Sequence, residues 1–241
     1  MRHTRQSFCR LNLGITKCYL LKCREGYLLI DTAYPNEYNR FLKAIGALGV
    51  ELRSIRYLLL THHHDDHAGF AARLVENTGC ATIFHQDALL PLSQGKSEET
   101  MKPVNRCISA FFSIFKLVHR EFRYPRLAAV KNSILLAGDN CDILQRIGVE
   151  GTILHTPGHS RDSISVVLSD GSAFVGDAAM NFLRFCGIKH RPIFVDDIDA
   201  VFESWRKLLE QGAKWIYPAH GKPFSAEKLL RYAAGSKFNS S

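Results

Sequence analysis

Thr61-His62-His63-His64-Asp65-Asp66-His67 follows directly on the apolar stretch Ile55-Arg56-Tyr57-Leu58-Leu59-Leu60. Four histidines and two aspartates fall within seven residues, and His62, His64, Asp66 and His67 form the pattern His-x-His-x-Asp-His. The apolar stretch reads as a strand, and on an extended backbone side chains at i and i+2 share a face. His62 and His64 therefore converge as the strand ends, and Asp66 and His67 lie in the turn beyond it. His63 and Asp65 point to the other face and are assigned packing or surface roles. Residues Ala68 to Asn77 read as a helix that stops at Gly79.

Such a run is a metal-binding composition. A catalytic zinc keeps three protein ligands and an open position for water, so four clustered donors either crowd one ion or divide between two. Division demands further ligands, and the chain offers three in one recurring context, an apolar strand running into a turn. His159 lies in Leu154-His155-Thr156-Pro157-Gly158-His159-Ser160, where the Pro-Gly pair marks the turn. Asp177 ends the short apolar run Ala173-Phe174-Val175-Gly176, and His220 follows Trp215-Ile216-Tyr217-Pro218-Ala219. One histidine after one strand is an ordinary structural feature. The repetition of the arrangement is what points to a site.

Taken together, His62-x-His64-x-Asp66-His67, His159, Asp177 and His220 resemble the metal signature of the metallo-β-lactamase superfamily. The Thr-Pro-Gly-His, Gly-Asp and Pro-Ala-His-Gly contexts resemble it as well, and so does the early strand Leu28-Leu29-Ile30 ending in Asp31-Thr32. The resemblance implies an α+β fold, a four-layer αββα sandwich of two mixed sheets flanked by helices, with a dinuclear site at one edge. It further implies that His62, His64 and His159 bind one ion, that Asp66, His67 and His220 bind the other, and that Asp177 bridges them.

Length and composition agree without discriminating. A chain of 241 residues that is 46% apolar can bury a substantial core as one domain, here taken as residues 1–241. No apolar run is long enough for a signal peptide or a membrane span, which leaves a cytoplasmic location as the default. The seven cysteines, Cys9, Cys18, Cys23, Cys80, Cys107, Cys141 and Cys186, are odd in number and include no Cys-x-x-Cys pair. They are expected to be reduced, buried thiols. Strands are expected over Phe8–Leu13, Cys18–Lys22, Tyr27–Asp31, Ser133–Ala137, Glu150–Leu154, Ser163–Leu168 and Ala173–Val175. Helices are expected over Glu37–Leu48 and Ile198–Glu210.

Residues 92–128 are the least family-like part and read as a helical insertion. Ile108, Phe111, Phe115 and Val118 are spaced three, four and three apart, as on one face of a helix. The insertion either packs on the sandwich, overhangs the site as a lid or substrate wall, or supplies a homodimer interface. The net charge of +8 admits an anionic small-molecule substrate or nucleic acid, since a basic field can concentrate either. Of the basic groups, Lys189-His190-Arg191 follows Asp177 closely enough to orient a carboxylate or phosphate. The basic residues are otherwise scattered, and no basic, Gly-rich arm is evident, which disfavours nucleic acid.

The chemistry implied is hydrolysis. Two ions about 3.5 to 4 Å apart can share a water and lower its pKa toward that of a bridging hydroxide. Asp66 binds metal and orients the water, and Asp31 stands behind a ligating histidine. Zinc suits the His-rich set, while Asp66 and Asp177 also suit iron or manganese. Asp177 stands where many zinc β-lactamases carry Cys or lack the bridging carboxylate, which disfavours antibiotic hydrolysis. The run at 61–67 is similar to that of glyoxalase II, but only some twenty residues follow His220, too few for that enzyme's glutathione-binding helical domain. The expected activity is a dinuclear metal-dependent hydrolase of a small ester-like substrate, a thioester or lactone. The alternatives are a phosphodiesterase acting on nucleotide or nucleic acid, and a noncatalytic metal-binding protein.

Overall fold

The computed structural model describes residues 8–97, 101–118, 122–127 and 132–233. An antiparallel meander, β1 (Phe8–Leu13), β2 (Thr16–Lys22) and β3 (Tyr27–Ile30), leads into helix α1 (Tyr38–Ala47) and strand β4 (Ile55–Leu59). The short helices α2 (Asp65–Ala68) and α3 (Ala71–Thr78) precede β5 (Ala81–His85), α4 (Leu89–Gln94), β6 (Lys102–Pro103), α5 (Arg106–Val118) and β7 (Ile134–Leu136). Then come α6 (Asp142–Arg146), β8 (Gly151–His155), β9 (Ile164–Leu168), β10 (Ser172–Phe174) and β11 (Phe194–Val195). The last elements are α7 (Ile198–Glu210), β12 (Trp215–Tyr217), β13 (Phe224–Ser225) and α8 (Glu227–Ala233).

Two mixed sheets result, in the orders β1-β2-β3-β4-β5-β7 and β13-β12-β10-β9-β8, with a small β6-β11 ribbon beside them. Side-chain alternation along the strands assigns the layers. In β2, Tyr19 and Leu21 enter the cluster between the sheets with Ile153, Val166 and Phe174, while Leu20 joins Phe41, Ile45 and Phe70 beneath the helices. In β9, Val166 and Leu168 face inward and Val167 packs outward against Trp205 and Leu208 of α7. The order is therefore helix, sheet, sheet, helix, the sandwich that the resemblance implies. Each fully buried large apolar side chain in these clusters contributes roughly 1.5–3 kcal/mol. The indole of Trp205 also satisfies its one donor on the Ala178 carbonyl at 2.7 Å.

Strand direction gathers the candidate residues. β3 and β4 are parallel, and β8, β10 and β12 share one direction because β9 runs antiparallel to both β8 and β10 while β10 and β12 are parallel. Asp31, the 61–67 run, His159, Asp177 and His220 all lie just beyond the C-terminal ends of these strands. They meet at one edge of the sandwich.

Three expectations change. The segment 68–77 is two helices rather than one, broken at Gly69, where a Cβ would sit 2.3 Å from the Ala33 carbonyl oxygen. Two of the seven cysteines are not reduced thiols: Cys107 and Cys186, 79 residues apart, form a disulfide that ties α5 to the turn at Arg184–Cys186. Sequence spacing could not reveal this pair, because only the folded chain brings their Cα atoms to 5.5 Å. Cys18, Cys23 and Cys80 are free and buried, and Cys9 and Cys141 are free and exposed.

The third change is the face that α5 presents. Ile108 is buried as predicted, but Phe111 is 39% exposed and Phe112 turns inward, its ring 4.2 Å from that of Phe194 and 6.0 Å from that of Phe122. The helix is apolar on more than one side, so its spacing alone could not choose between Phe111 and Phe112. The side chains of Phe115 and Val118, the other half of the predicted stripe, lie outside the described residues.

Candidate metal centre

His62 and His64 sit where β4 gives way to loop, and α2 carries Asp66 and His67 one turn on. His159 is presented by the Pro157-Gly158 turn, which is seated on α7. Gly158 has φ +131°, and a Cβ there would come within 2.4 Å of the Val201 amide nitrogen, so the turn requires glycine. The amides of Asp196 and Asp197 donate to the Gly158 carbonyl at 2.9 and 3.0 Å and fix the same turn. Asp177 follows Gly176, at φ +50°, where a Cβ would strike the Thr61 hydroxyl at 2.3 Å. His220 is anchored by the Asn181 amide, which donates to its carbonyl at 2.9 Å.

Seven donor side chains converge here. The Nε2 of His159 lies 3.2 Å from Nε2 of His62 and 3.1 Å from Nδ1 of His64. Asp66 Oδ2 lies 3.0 Å from His220 Nε2, and Asp66 Oδ1 lies 3.8 Å from His67 Nε2. Between these trios stands Asp177, with Oδ1 at 3.5 Å from His67 Nε2 and 3.4 Å from His220 Nε2, and Oδ2 at 3.7 Å from His159 Nε2. The ligand atoms of His62, His64 and His159, and those of Asp66, His67 and His220, each lie within 4.8 Å of one another, as do those of His62, His67 and Asp177.

The outer hydrogen bonds determine which ring nitrogens face inward. A carboxylate offers only lone pairs, so Asp31 Oδ2 accepts from His67 Nδ1 at 2.9 Å and from the Thr61 hydroxyl at 2.8 Å. With its proton committed to Asp31, the Thr61 oxygen accepts from His62 Nδ1 at 3.1 Å. His159 Nδ1 donates to the Phe194 carbonyl at 2.8 Å and His220 Nδ1 to the Ile15 carbonyl at 3.2 Å. All four rings then turn Nε2 into the site, and in the neutral form it is this nitrogen that carries the lone pair. Lone pairs opposed at 3.2 Å repel unless a cation lies between them, and His67 Nε2 and Asp177 Oδ1 are buried without a hydrogen-bond partner. The donor set fits divalent ions.

Electrostatics divide the histidines in the same way. Burial, reinforced by neighbouring imidazoles, pushes His62 and His64 well below the ordinary range, and burial lowers His159. Burial also opposes charge on His67 and His220, but Asp66, Asp31 and Asp177 outweigh it for His67, and Asp177 and Asp66 do so for His220. Both are raised. Asp177 is driven well down by His220, His67 and His159 despite its burial, and Asp66 is lowered in the same way by His67 and His220. One trio thus favours neutral rings, and the other, which contains Asp66 and is flanked by Asp177 and Asp31, favours positive charge.

His63 and Asp65 lie off the cluster, and both are buried rather than on the surface. His63 Nδ1 lies 3.0 Å from Asp162 Oδ1, a partner that the sequence reading did not pick out. Asp65 is pushed up to about 7, first by burial and then by the charge of Asp66, and its amide donates to the Ser97 hydroxyl at 2.9 Å. Asp31, at φ +61°, occupies the position behind His67. His190 stacks on Phe224 at 4.0 Å with Nδ1 turned to the Met180 carbonyl, and Arg191 donates to the carbonyls of Ile188 and Gly187. None of these contacts is to the histidine cluster. The 92–128 segment grips the back of the run through Ser97 and through Tyr124, whose hydroxyl donates to the His63 carbonyl at 2.5 Å.

The sequence matches the metallo-beta-lactamase superfamily over residues 11–220, and the chain belongs to that superfamily. It is 25% identical over 215 residues to a lactamase-like protein of Pestalotiopsis microspora, covering 86% of this chain and 49% of that one. It is also 25% identical over 223 residues to the atrochrysone carboxyl ACP thioesterase of Aspergillus aculeatus, covering 90% of this chain and 54% of the relative. Among solved structures, an archaeal metallo-beta-lactamase superfamily protein from Sulfolobus tokodaii superposes with a TM-score of 0.65 at 18% identity, covering 98% of this chain and 88% of that one. The chain spans 49% to 60% of the length of the first three curated relatives. Among the described residues, no helix is long and apolar enough to cross a membrane.

Proposed function

We propose that the protein is a dinuclear metal-dependent hydrolase of a small ester-like substrate, a thioester or lactone. The observation that carries this reading is the orientation of Asp177, one oxygen toward His67 and His220 and the other toward His159. A carboxylate so placed suits a bridge between one ion held by His62, His64 and His159 and a second held by Asp66, His67 and His220. When bound, such a pair supplies an acidified water and Lewis-acid polarisation of a carbonyl or phosphoryl oxygen. The protein's own part is to aim imidazole Nε2 atoms inward from rings whose outer nitrogens are committed to Asp31, Thr61, Phe194 and Ile15. Asp66 has the most open side chain of the three carboxylates, 15% exposed against 8% for Asp177 and 2% for Asp31. It is the carboxylate best placed to orient water at the open side of the site. The fungal thioesterase relative supports an ester-like substrate.

The test is metal analysis followed by turnover of a thioester and lactone panel beside bis-p-nitrophenyl phosphate and single-stranded RNA. Two ions per chain with thioester or lactone turnover are expected. Preferential phosphodiester cleavage would replace the substrate assignment, and two ions without turnover of anything would indicate a binding protein.

A further inference from the structure

We propose that Asp162 is a positioning residue that aligns His62, His64 and His159 for a divalent ion, acting through His63. The inference rests on the reading of those three histidines as one metal trio. Asp162 follows His159 by three residues and reaches back to the end of β4. Its Oδ2 accepts from the His63 amide at 2.9 Å, and its Oδ1 lies 3.0 Å from His63 Nδ1, so one carboxylate fixes the backbone of His63 and lies against its ring.

The His63 amide belongs to the same peptide unit as the His62 carbonyl, so holding it fixes ψ of His62. On the other side, the His63 carbonyl accepts from the Tyr124 hydroxyl at 2.5 Å, which fixes the peptide leading to His64. The two ligand-bearing residues that flank His63 are therefore clamped from behind. The clamp is also tied to the loop that carries His159, since the Ile164 amide donates to the Thr61 carbonyl at 2.8 Å beside it. This accounts for the two close ring contacts, 3.2 and 3.1 Å, that His159 makes with residues 97 and 95 positions away. It also accounts for a buried histidine and a buried aspartate, each 2% exposed, standing immediately behind the cluster. A buried pair of this kind adds little net stability by itself. Its consequence is orientation, as for other groups that support metal ligands.

The experiment uses the full chain and zinc alone, titrated against a chromophoric chelator in two backgrounds. His220→Ala silences the second trio and leaves the His62/His64/His159 ion to be read. His159→Ala does the reverse. Asp162→Asn is expected to weaken zinc binding about 10- to 100-fold in the His220→Ala background and to leave it unchanged in the His159→Ala background. No loss in the first background, or equal loss in both, would overturn the proposal. Tyr124→Phe removes one buried hydroxyl from the same clamp while keeping the ring in the core, and is expected to shift affinity in the same direction and background by a smaller factor. It decides the matter where Asp162→Asn does not fold. If the unmodified chain binds no divalent ion, the metal-site reading itself fails. If it binds two and Asp162→Asn leaves both affinities intact, only the positioning role fails.

Discussion

Asp31→Asn tests the logic of the centre without changing the size of a side chain. The residue sits at φ +61°, a conformation that Asn tolerates better than most residues, so the backbone should be kept. What changes is donor and acceptor polarity. Asp31 accepts at Oδ1 from the Thr61 amide at 2.7 Å and at Oδ2 from the Thr61 hydroxyl and His67 Nδ1. If the amide oxygen of Asn stays on the Thr61 amide, its NH2 faces His67 and the hydroxyl. His67 must then move its proton to Nε2, and the Thr61 hydroxyl, now an acceptor from Asn, must donate to His62 Nδ1 and drive that proton to Nε2 as well. Flipping the amide instead sets two donors against each other at the Thr61 backbone. Either way the inward lone pairs of His62 and His67 are compromised together, one in each trio. Partners of this kind are worth about 10- to 100-fold in metal affinity, or about 1.4 to 2.7 kcal/mol per ion. Chelator competition with zinc reads the loss directly, and urea unfolding of the metal-free variant separates it from global destabilisation. Wild-type affinity for both ions in a folded Asp31→Asn protein would refute the tautomer argument.

Asp177→Ala should lower metal occupancy and hydrolysis together, by more than the roughly 100-fold that an outer partner commands; full retained activity would defeat the bridging assignment. His67 and His220 are held above the ordinary imidazole range by their carboxylate neighbours, so below those raised values a metal must displace protons from them. Affinity should therefore rise with pH until those raised values are passed, and binding heats should differ between buffers of different ionisation enthalpy; identical heats would show that no proton is released. Opening the Cys107–Cys186 bond frees a loop of 79 residues and should cost about 2 to 4.5 kcal/mol. Denaturant midpoints of Cys107→Ser, or of the native chain with and without dithiol, measure that cost, and coincident curves would show that the bond is not stabilising.

Which features were legible in the sequence follows from how far apart their partners lie along the chain. The strand before the 61–67 run, the i, i+2 histidines and the three strand-end donors are local patterns, and parallel strand direction turns local position into spatial convergence. Asp31 was legible for the same reason, as the residue ending β3 beside β4. The Asp162–His63 clamp was not, because 99 residues separate its halves and no local pattern marks Asp162 as the partner of His63. The Cys107–Cys186 bond and the choice of Phe112 over Phe111 are set by tertiary contact with the segment from 184 to 194. That segment also supplies the Phe194 carbonyl that fixes His159 Nδ1. The residues invisible to pattern reading are thus concentrated behind the donors rather than among them. Ligand identity is written in short motifs, whereas the orientation that makes a histidine a ligand depends on contacts that only the completed sandwich can make.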